Sequence, residues 1–420
     1  MDELYNKVEV QYFGSRDFNG LPIYSLKEDY DVASDDFKEM ILQGIERDII
    51  TARHVDNPHI QAFSNHPPKE RLLKEIKDVE FPGSVVLYPH EKKLQTSRRL
   101  QEYADRPYHY ELAKGSGQLD YRAFDLSVLE YYRNDPRFSY ETDFINGNIS
   151  VSDEYYESSE MQESDQIVLK TFGIGYDEEY NRYVVVFLRY LSDLSAEHQN
   201  IWKAKEVAKK VKLHPDYYRS SILGDWGTKI SIFQAFIMEL EIINKMSDAI
   251  GRPPLFRETY SEETPKKFGF LLRPTLSEFN DFCLLLDQMM SDNINKKFFQ
   301  NDISDEIEEE RDDGKVIVRP KGTIKILEEW VGKFFKPSDR QPMQELFNAF
   351  KEVRKLRQKP AHSVNPDKFD QSYFKTQRDL IIKAYGAIRM IRLILSNHPR
   401  VKGANIEVQE ELYKGEIWDV

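Results

Sequence analysis

Arg357 and His362 stand five residues apart in the segment Arg-Gln-Lys-Pro-Ala-His. A neutral imidazole can take the proton of a ribose 2′-hydroxyl near pH 7. A guanidinium can hold a phosphate while negative charge builds on it. The two groups together could therefore cleave RNA without a metal ion. An Arg and a His at this spacing are common, so the elements that position them decide the interpretation.

Four amphipathic helices are predicted in residues 256–400. The first begins at a capping box, Thr275-Leu-Ser-Glu278, and the apolar residues of all four recur every three or four positions. Helices of this kind with short connections predict an antiparallel bundle. An inserted hairpin is predicted at residues 303–319, and residues 401–420 form an acidic tail, either a terminal strand or a docking segment.

The third predicted helix ends in the basic residues Arg354 and Arg357, and Pro360 stops it within a few residues. His362 then falls in the connection to the fourth helix, which runs from about Gln371 to Ser396. We therefore expect Arg357 and His362 to lie together at one end of the bundle and to be partly desolvated. Partial desolvation strengthens a charge-assisted hydrogen bond to phosphate.

The segment from Val353 to His362, followed by Asp370 and a long helix, resembles the signature of the HEPN family. In that family an Arg, a polar residue, a few spacers and a His join the last two helices of a four- or five-helix bundle. Many members are metal-independent endoribonucleases in toxin–antitoxin, CRISPR and anti-phage systems. The resemblance implies that Arg357 and His362 are the catalytic pair, with Gln358 at the polar position. It also implies a homodimer, because two motifs meet to form one active site.

The activity implied is 2′-hydroxyl attack that leaves a 2′,3′-cyclic phosphate and a 5′-hydroxyl, and DNA is spared because it lacks the nucleophile. Arg354, Gln358 and Lys359 would support RNA binding, and no metal or cofactor is required. Two other classes stay open: an inactive HEPN-like module for dimerisation or interaction, and a nucleotide-binding regulator. For Arg357 and His362 themselves, the alternative is a helix C-cap in which both side chains bond to free carbonyls.

Two residues depart from the family pattern. Gln358 stands where active members most often have Asn, and Pro360 stiffens a stretch that is usually plain helix or turn. Either change could displace the imidazole, and a displacement of about 1 Å can lower a rate by roughly a hundredfold.

Charge is distributed unevenly along the chain. The 420 residues carry a formal net charge of −13, which argues against a general nucleic-acid coat protein. Residues 331–400 hold 15 Lys/Arg against 6 Asp/Glu, a balance of +9, so the remaining residues carry −22. A locally basic segment in an acidic protein suits a confined polyanion site, and equally a solvated basic helix face.

A cytoplasmic protein is expected. The single cysteine, Cys283, argues against a disulfide framework and a cysteine-based zinc site, and it fits a reducing compartment. The acidic start of the chain contains no apolar signal core, and no apolar run approaches the length of a membrane span.

Residues 1–255 are predicted to form a mixed α/β domain of unassigned family, so the fold class of the whole chain is α+β. Val8, Val10 and Tyr12 alternate like a short strand, residues 167–174 and 182–188 read as a hairpin, and Arg252-Pro253-Pro254 marks the boundary. This domain is expected to sense a trigger, select substrate or bind a protein partner in bacterial defence.

Other residues that could bind a ligand carry weaker signals. His54, His59 and His66 are clustered, but they lie among prolines without a carboxylate pattern, so a surface loop is favoured over a metal site. His90 precedes several basic residues, which fits a phosphate-binding edge or the solvated start of a helix. Gly173-Ile-Gly175 lacks the third glycine and the following helix of a dinucleotide loop.

Overall fold

A computed structural model describes residues 1–15, 17–54, 67–81, 84–143, 145–159, 167–225, 227, 229–310, 316–358 and 366–418. The chain divides into two compact units. The amino-terminal unit comprises residues 1–139 and 147–217, and the carboxy-terminal unit comprises residues 140–146 and 218–420.

Two β-sheets are described in the amino-terminal half of the chain. The smaller sheet has the order β1-β3-β2 and is antiparallel. The larger sheet has the order β4-β8-β7-β6-β5, and β9 also pairs with β7. Strands β7 and β8 form the hairpin predicted at residues 167–188, which is confirmed. The strands are β1 Leu21–Pro22, β2 Ile50–His54, β3 Val85–Pro89, β4 Tyr121–Phe124, β5 Phe138–Thr142, β6 Asn146–Val151, β7 Ile167–Tyr176, β8 Arg182–Phe187 and β9 Lys212–Leu213.

Short helices surround these sheets. They are α1 Asp2–Gly14, α2 Asp35–Glu46, α3 Lys69–Asp78, α4 Glu91–Leu94, α5 Pro107–Ala113, α6 Glu130–Arg133, α7 Asp153–Glu157, α8 Leu188–Ser192, α9 Ala196–Lys203 and α10 Pro215–Tyr218. Helices α1, α2 and α3 share one apolar core with the smaller sheet.

The strand predicted near the amino terminus is wrong, because residues 2–14 form helix α1. Leu4, Val8 and Tyr12 are buried, whereas Val10 is 55% exposed. Burial at every fourth residue is the period of a helix, and it outweighs the local alternation of Val8, Val10 and Tyr12.

Helices dominate the carboxy-terminal unit. They are α11 Ile232–Ile250, α12 Leu276–Asp287, α13 Thr323–Phe334, α14 Gln341–Gln358, α15 Ser372–Ser396, α16 Pro399–Gly403 and α17 Glu410–Lys414. The four helices predicted in residues 256–400 correspond to α12–α15. Thr275 caps α12 by accepting a hydrogen bond from the backbone N–H of Glu278 at 3.2 Å, as the capping box predicts.

Helix α11 belongs to the same apolar core as α12–α15, so the domain boundary lies at residues 217–218 and not at 255. The pair Pro253-Pro254 follows the left-handed C-cap of α11 at Gly251, where φ is +82°. Arg252 then donates a hydrogen bond to the carbonyl of Phe298 at 2.8 Å. The proline pair therefore marks a turn within the carboxy-terminal unit. Helix α11 belongs to this unit because it packs on α15, which lies far from it in the sequence.

Two smaller features complete this unit. Strands β11 Glu306–Glu310 and β12 Val316–Pro320 pair antiparallel, which confirms the inserted hairpin, although its predicted turn lies outside the described residues. Near the end of the chain, β13 Ile417–Trp418 pairs in parallel with β10 Ile230–Ser231, and Leu412 of α17 is fully buried. The acidic tail therefore packs on the unit and contains a short strand.

Candidate functional site

Arg354 and Arg357 lie at the carboxy-terminal end of α14. Leu346, Phe350 and Val353 form the buried stripe of this helix. Arg354 follows Val353 directly and Arg357 lies one turn later, so both guanidinium groups leave the helix beside its core-facing side. The basic end of α14 is therefore positioned against the neighbouring helix α12.

Helix α12 continues from Asp287 into a π-helical turn at residues 288–292. Five residues of α-helix would rotate two side chains to about 140° apart around the axis. The wider π-turn closes an i to i+5 hydrogen bond, so residues five apart come to the same side. This turn thereby directs the carboxylates of Asp287 and Asp292 towards the same end of α14.

The two arginines and the two aspartates form one cluster of ion pairs. Arg354 places Nε 3.4 Å from both Oδ atoms of Asp287 and Nη2 2.6 Å from Oδ1 of Asp292. Arg357 donates through Nη1 to Oδ2 of Asp287 at 2.7 Å and also to Oδ2 of Asp292. We call these four residues the Arg357 cluster.

The side chains of the Arg357 cluster differ in their exposure to solvent. The Asp287 side chain is 0% exposed, whereas those of Arg357 and Asp292 are 33% and 42% exposed. Hydrogen bonds to Asp287 and then to Asp292 raise the pKa of Arg357 above its ordinary value. The guanidinium is therefore always charged, with a buried carboxylate behind it and an exposed carboxylate at the surface.

The structure brings together two of the five predicted site residues, Arg354 and Arg357. Gln358 is exposed as the last residue of α14, and Lys359 and His362 lie outside the described residues. Among the described residues, Arg357 directs its hydrogen bonds to the carboxylates of Asp287 and Asp292, and not to the free carbonyls of the C-cap that was the alternative prediction. The pairing of His362 with Arg357 stays a prediction.

The segment after residue 365 is held to the start of α12. Oδ1 of Asp367 accepts a hydrogen bond from the backbone N–H of Ser277 at 2.8 Å, and the carbonyl of Lys368 accepts one from Leu276 at 2.8 Å. Arg357 and Asp367 therefore both contact α12, on either side of the sequence that contains His362. The two flanks of the predicted motif are anchored to one helix.

Sequence reasoning missed Asp287 and Asp292. Phe279, Cys283 and Leu286 form the buried stripe of α12, and Asp287 continues it at four residues from Cys283. A carboxylate on a buried stripe is expected to have a cationic partner, because an isolated buried charge is strongly unfavourable. That position is the signal from which Asp287 could have been found.

Two other candidates from the sequence are the glycine segment at Gly173 and the histidine cluster that begins at His54. Gly173 lies in β7 against Tyr217, where an added Cβ would meet the ring at 2.1 Å, so this glycine permits close packing. His54 ends β2, and the other two histidines of its cluster lie outside the described residues. Within the described ranges, no group of three or more His, Cys, Asp or Glu side chains is arranged to hold a metal ion.

Within the same ranges, none of the helices combines the length and the apolar character that crossing a membrane requires. Comparison with protein-family models, with curated proteins and with solved structures gives no match to this chain. The resemblance to the HEPN family therefore depends on the Arg357 to His362 segment and on the helices around it.

Proposed function

We propose that the chain is a metal-independent endoribonuclease of the HEPN type, acting as a homodimer in a bacterial defence or toxin system. The observation that carries the proposal is the guanidinium of Arg357, one-third exposed and held from behind by the buried carboxylate of Asp287. A cation fixed before the substrate arrives needs no reorganisation when charge develops on a phosphate.

The connection after α14 supplies the second group. His362 lies five positions after Arg357 in the sequence, so their Cα atoms are at most about 18 Å apart. Arg357 and Asp367, one on each side of this stretch, are anchored to α12. The anchors lie at opposite ends of α12, about 15 Å apart along the helix, and they limit the positions that the imidazole can take. The proposal places His362 at the Arg357 end of this range.

The roles follow from the chemistry of each side chain. The imidazole of His362 takes the proton of the 2′-hydroxyl, while the paired imidazole of the second protomer protonates the leaving 5′-oxygen. Arg357 binds the scissile phosphate with its exposed edge, and Arg354 and Lys359 add positive charge. The P–O5′ bond breaks as the 2′-oxygen bonds to phosphorus, which leaves a 2′,3′-cyclic phosphate.

An RNA phosphate must compete with Asp292 for Arg357. Asp292 is the more exposed of the two carboxylates, so it is the partner that can leave without creating a buried unpaired charge. Asp287 would stay in place and keep the guanidinium oriented. Binding of RNA is therefore expected to exchange one anionic partner of Arg357 for another.

A non-catalytic interaction module is the second candidate. It is favoured by the charge balance of the Arg357 cluster, in which two arginines meet two aspartates. A balanced cluster can serve as a structural clamp that holds α14 to α12. In that case the motif has no substrate, and the unit serves to dimerise or to bind another protein.

Incubation of the purified chain with total RNA in EDTA separates the two candidates. The ribonuclease proposal predicts fragments with 2′,3′-cyclic phosphate ends from the wild type and none from His362→Ala. Equal cleavage by both proteins would exclude the catalytic pair. An absence of cleavage by both would favour the interaction module.

A further inference from the structure

A cavity of about 140 Å³ lies in the amino-terminal unit, between α2, α3, α4 and the end of α5. Its inner wall is apolar and buried, with Ile45, Leu72 and Leu94 each at most 7% exposed. Its rim carries the exposed residues Lys69 and Lys114. The cavity therefore combines an apolar base with a cationic opening.

Asp48 orders the rim without lining the cavity. Its carboxylate pairs with Lys69 through Oδ1 and with Lys92 through Oδ2. These hydrogen bonds lower the pKa of Asp48 to about 2, so it is ionised throughout the neutral range. Asp48 also has a φ of +54°, a left-handed conformation that Asp adopts more readily than most residues. A single carboxylate thereby positions two lysines.

Positive charge is in excess around this rim. Lys69, Lys92 and Lys114 face two carboxylates, Asp48 and Glu91, which leaves one unmatched positive charge. The ammonium of Lys114 also lies 5.4 Å from the centre of the Tyr110 ring. The Arg357 cluster of the other unit, in contrast, is neutral.

His90 supplies a neutral donor to the same cavity. Its Nδ1 accepts a hydrogen bond from the backbone N–H of Lys92 at 3.2 Å, so the proton of the neutral ring is on Nε2. Burial lowers the pKa of His90, which keeps the ring neutral at pH 7. Nε2 lies 3.5 Å from Oδ1 of Asp48, beyond the usual hydrogen-bond length, so a ligand oxygen that comes closer can accept its hydrogen bond.

We propose that this cavity binds a small phosphate monoester. The phosphoryl oxygens would accept hydrogen bonds from Lys69, Lys114 and Nε2 of His90, and the organic part would pack on Leu72 and Leu94. Three donors match three terminal phosphoryl oxygens, and the unmatched positive charge of the rim favours an anion. A cavity of about 140 Å³ holds more than one group of water size, which suits a fragment larger than phosphate alone.

This site does not depend on the ribonuclease proposal, because every residue that forms it belongs to the amino-terminal unit. A ligand bound at this site would allow the amino-terminal unit to respond to a metabolite. The proposal is therefore tested by binding and not by RNA cleavage.

Isothermal titration calorimetry on the full chain provides the test, with phenyl phosphate as the probe. Inorganic phosphate lacks the apolar part, and benzoate carries a carboxylate in place of the phosphoryl group. We expect phenyl phosphate to bind at millimolar concentration or below, and about tenfold more tightly than benzoate. Inorganic phosphate should bind more weakly than phenyl phosphate, because it leaves the apolar wall uncovered.

Matched variants assign the binding to the cavity. Lys69→Gln with Lys114→Gln should weaken phenyl phosphate binding by about tenfold or more, since each removes a charge-assisted hydrogen bond. Lys74→Gln, an exposed lysine of α3 outside the cavity, should leave binding unchanged. If the double variant does not fold, Lys114→Gln alone gives the readout, because the only contact described for its ammonium is the Tyr110 ring.

Three results would overturn the proposal: no binding of phenyl phosphate at millimolar concentration, equal affinity for benzoate, or equal loss in Lys74→Gln and the cavity variants.

Discussion

Two arginine–carboxylate clusters of the carboxy-terminal unit differ in their access to water. In the first, Arg392 of α15 donates through Nε to Oε2 of Glu239 of α11 at 2.5 Å, and the side chains are 8% and 0% exposed. In the second, the Arg357 cluster, Arg357 and Asp292 are 33% and 42% exposed. The same kind of ion pair is therefore shielded from water between Arg392 and Glu239, which we call the sealed pair, and partly exposed to water in the Arg357 cluster, the open cluster.

The sealed pair has the features of a structural element. Burial raises the pKa of Glu239, and desolvation outweighs the opposing effect of Arg392. In the described part of the chain, Oε1 of Glu239 and the hydroxyl of Tyr385 have no hydrogen-bond partner. Such a pair cannot exchange partners without exposing a buried charge. The open cluster can exchange Asp292 for another anion, and we therefore expect function there.

The largest effect on stability is expected from Arg392→Met. Removal of the cation leaves Glu239 buried and unpaired, which lowers the free energy of unfolding by about 3–5 kcal/mol. Urea unfolding of the full chain measures this loss. The double variant Glu239→Leu with Arg392→Met should recover most of it, because it leaves no buried charge. A loss below about 1 kcal/mol in the single variant would mean that the pair is not sealed.

The same variant should change the dependence of stability on pH. The pKa of Glu239 is raised above its unfolded value, so the folded state binds the proton more tightly. Stability from this group is present below the unfolded pKa, near 4.5, and is lost as pH rises through the folded pKa. Without Arg392 the pKa rises further, so the loss should extend to higher pH than in the wild type.

Unfolding measured across this pH range tests the predicted direction in which stability changes. The double variant Glu239→Gln with Arg392→Met is the control, because it removes the titrating carboxyl group. An identical pH profile for Arg392→Met and this double variant would contradict the assignment to Glu239.

A smaller effect is expected from Asp287→Ala in the open cluster. The variant removes a buried acceptor from Arg354 and Arg357, but both guanidinium groups can turn to solvent. We therefore expect a loss of about 1–3 kcal/mol. Asp281→Ala is the matched control, because Asp281 of α12 forms an exposed ion pair with Lys267 at 2.9 Å and should contribute about 0–1 kcal/mol. Equal losses would show that burial of Asp287 has no energetic consequence.

The smallest effect is expected from Asp292→Asn. Its exposed carboxylate contributes about 0–1 kcal/mol, and salt screens that contribution. The difference between the wild type and Asp292→Asn should therefore shrink as sodium chloride is raised towards 1 M, where the Debye length falls from about 8 Å to about 3 Å. The difference for Arg392→Met should persist, and a parallel decline in both would remove the distinction between the clusters.

Local signals in the sequence predicted most of the elements around the Arg357 cluster. The cap at Thr275 and the apolar periods placed α12 and α15 within a few residues of their observed bounds. These signals are short-range, because a cap acts on the first turn and periodicity acts along a single helix. The partial desolvation of Arg357 beside its helix stripe was predicted for the same reason.

Long-range contacts were beyond such signals. Arg357 and Asp292 are 65 residues apart, and they meet because a π-turn departs from the α-helical period that sequence reasoning assumed. The predicted domain boundary was wrong for a similar reason. The proline pair after Gly251 follows helix α11, and the partner of α11, helix α15, lies more than a hundred residues later. Helix α1 was missed because three alternating residues concealed the longer spacing of Leu4, Val8 and Tyr12.

The initial rate of cleavage of a single-stranded RNA in EDTA, compared between the wild type, Arg357→Ala and Lys355→Ala, tests the central claim most directly. Lys355 is an exposed neighbour of Arg357 on the same helix, so its variant controls for loss of one positive charge. We predict that Arg357→Ala cleaves about a hundredfold to a thousandfold more slowly than the wild type, while Lys355→Ala stays close to it. Equal rates for the wild type and Arg357→Ala would contradict the assignment of the open cluster to catalysis.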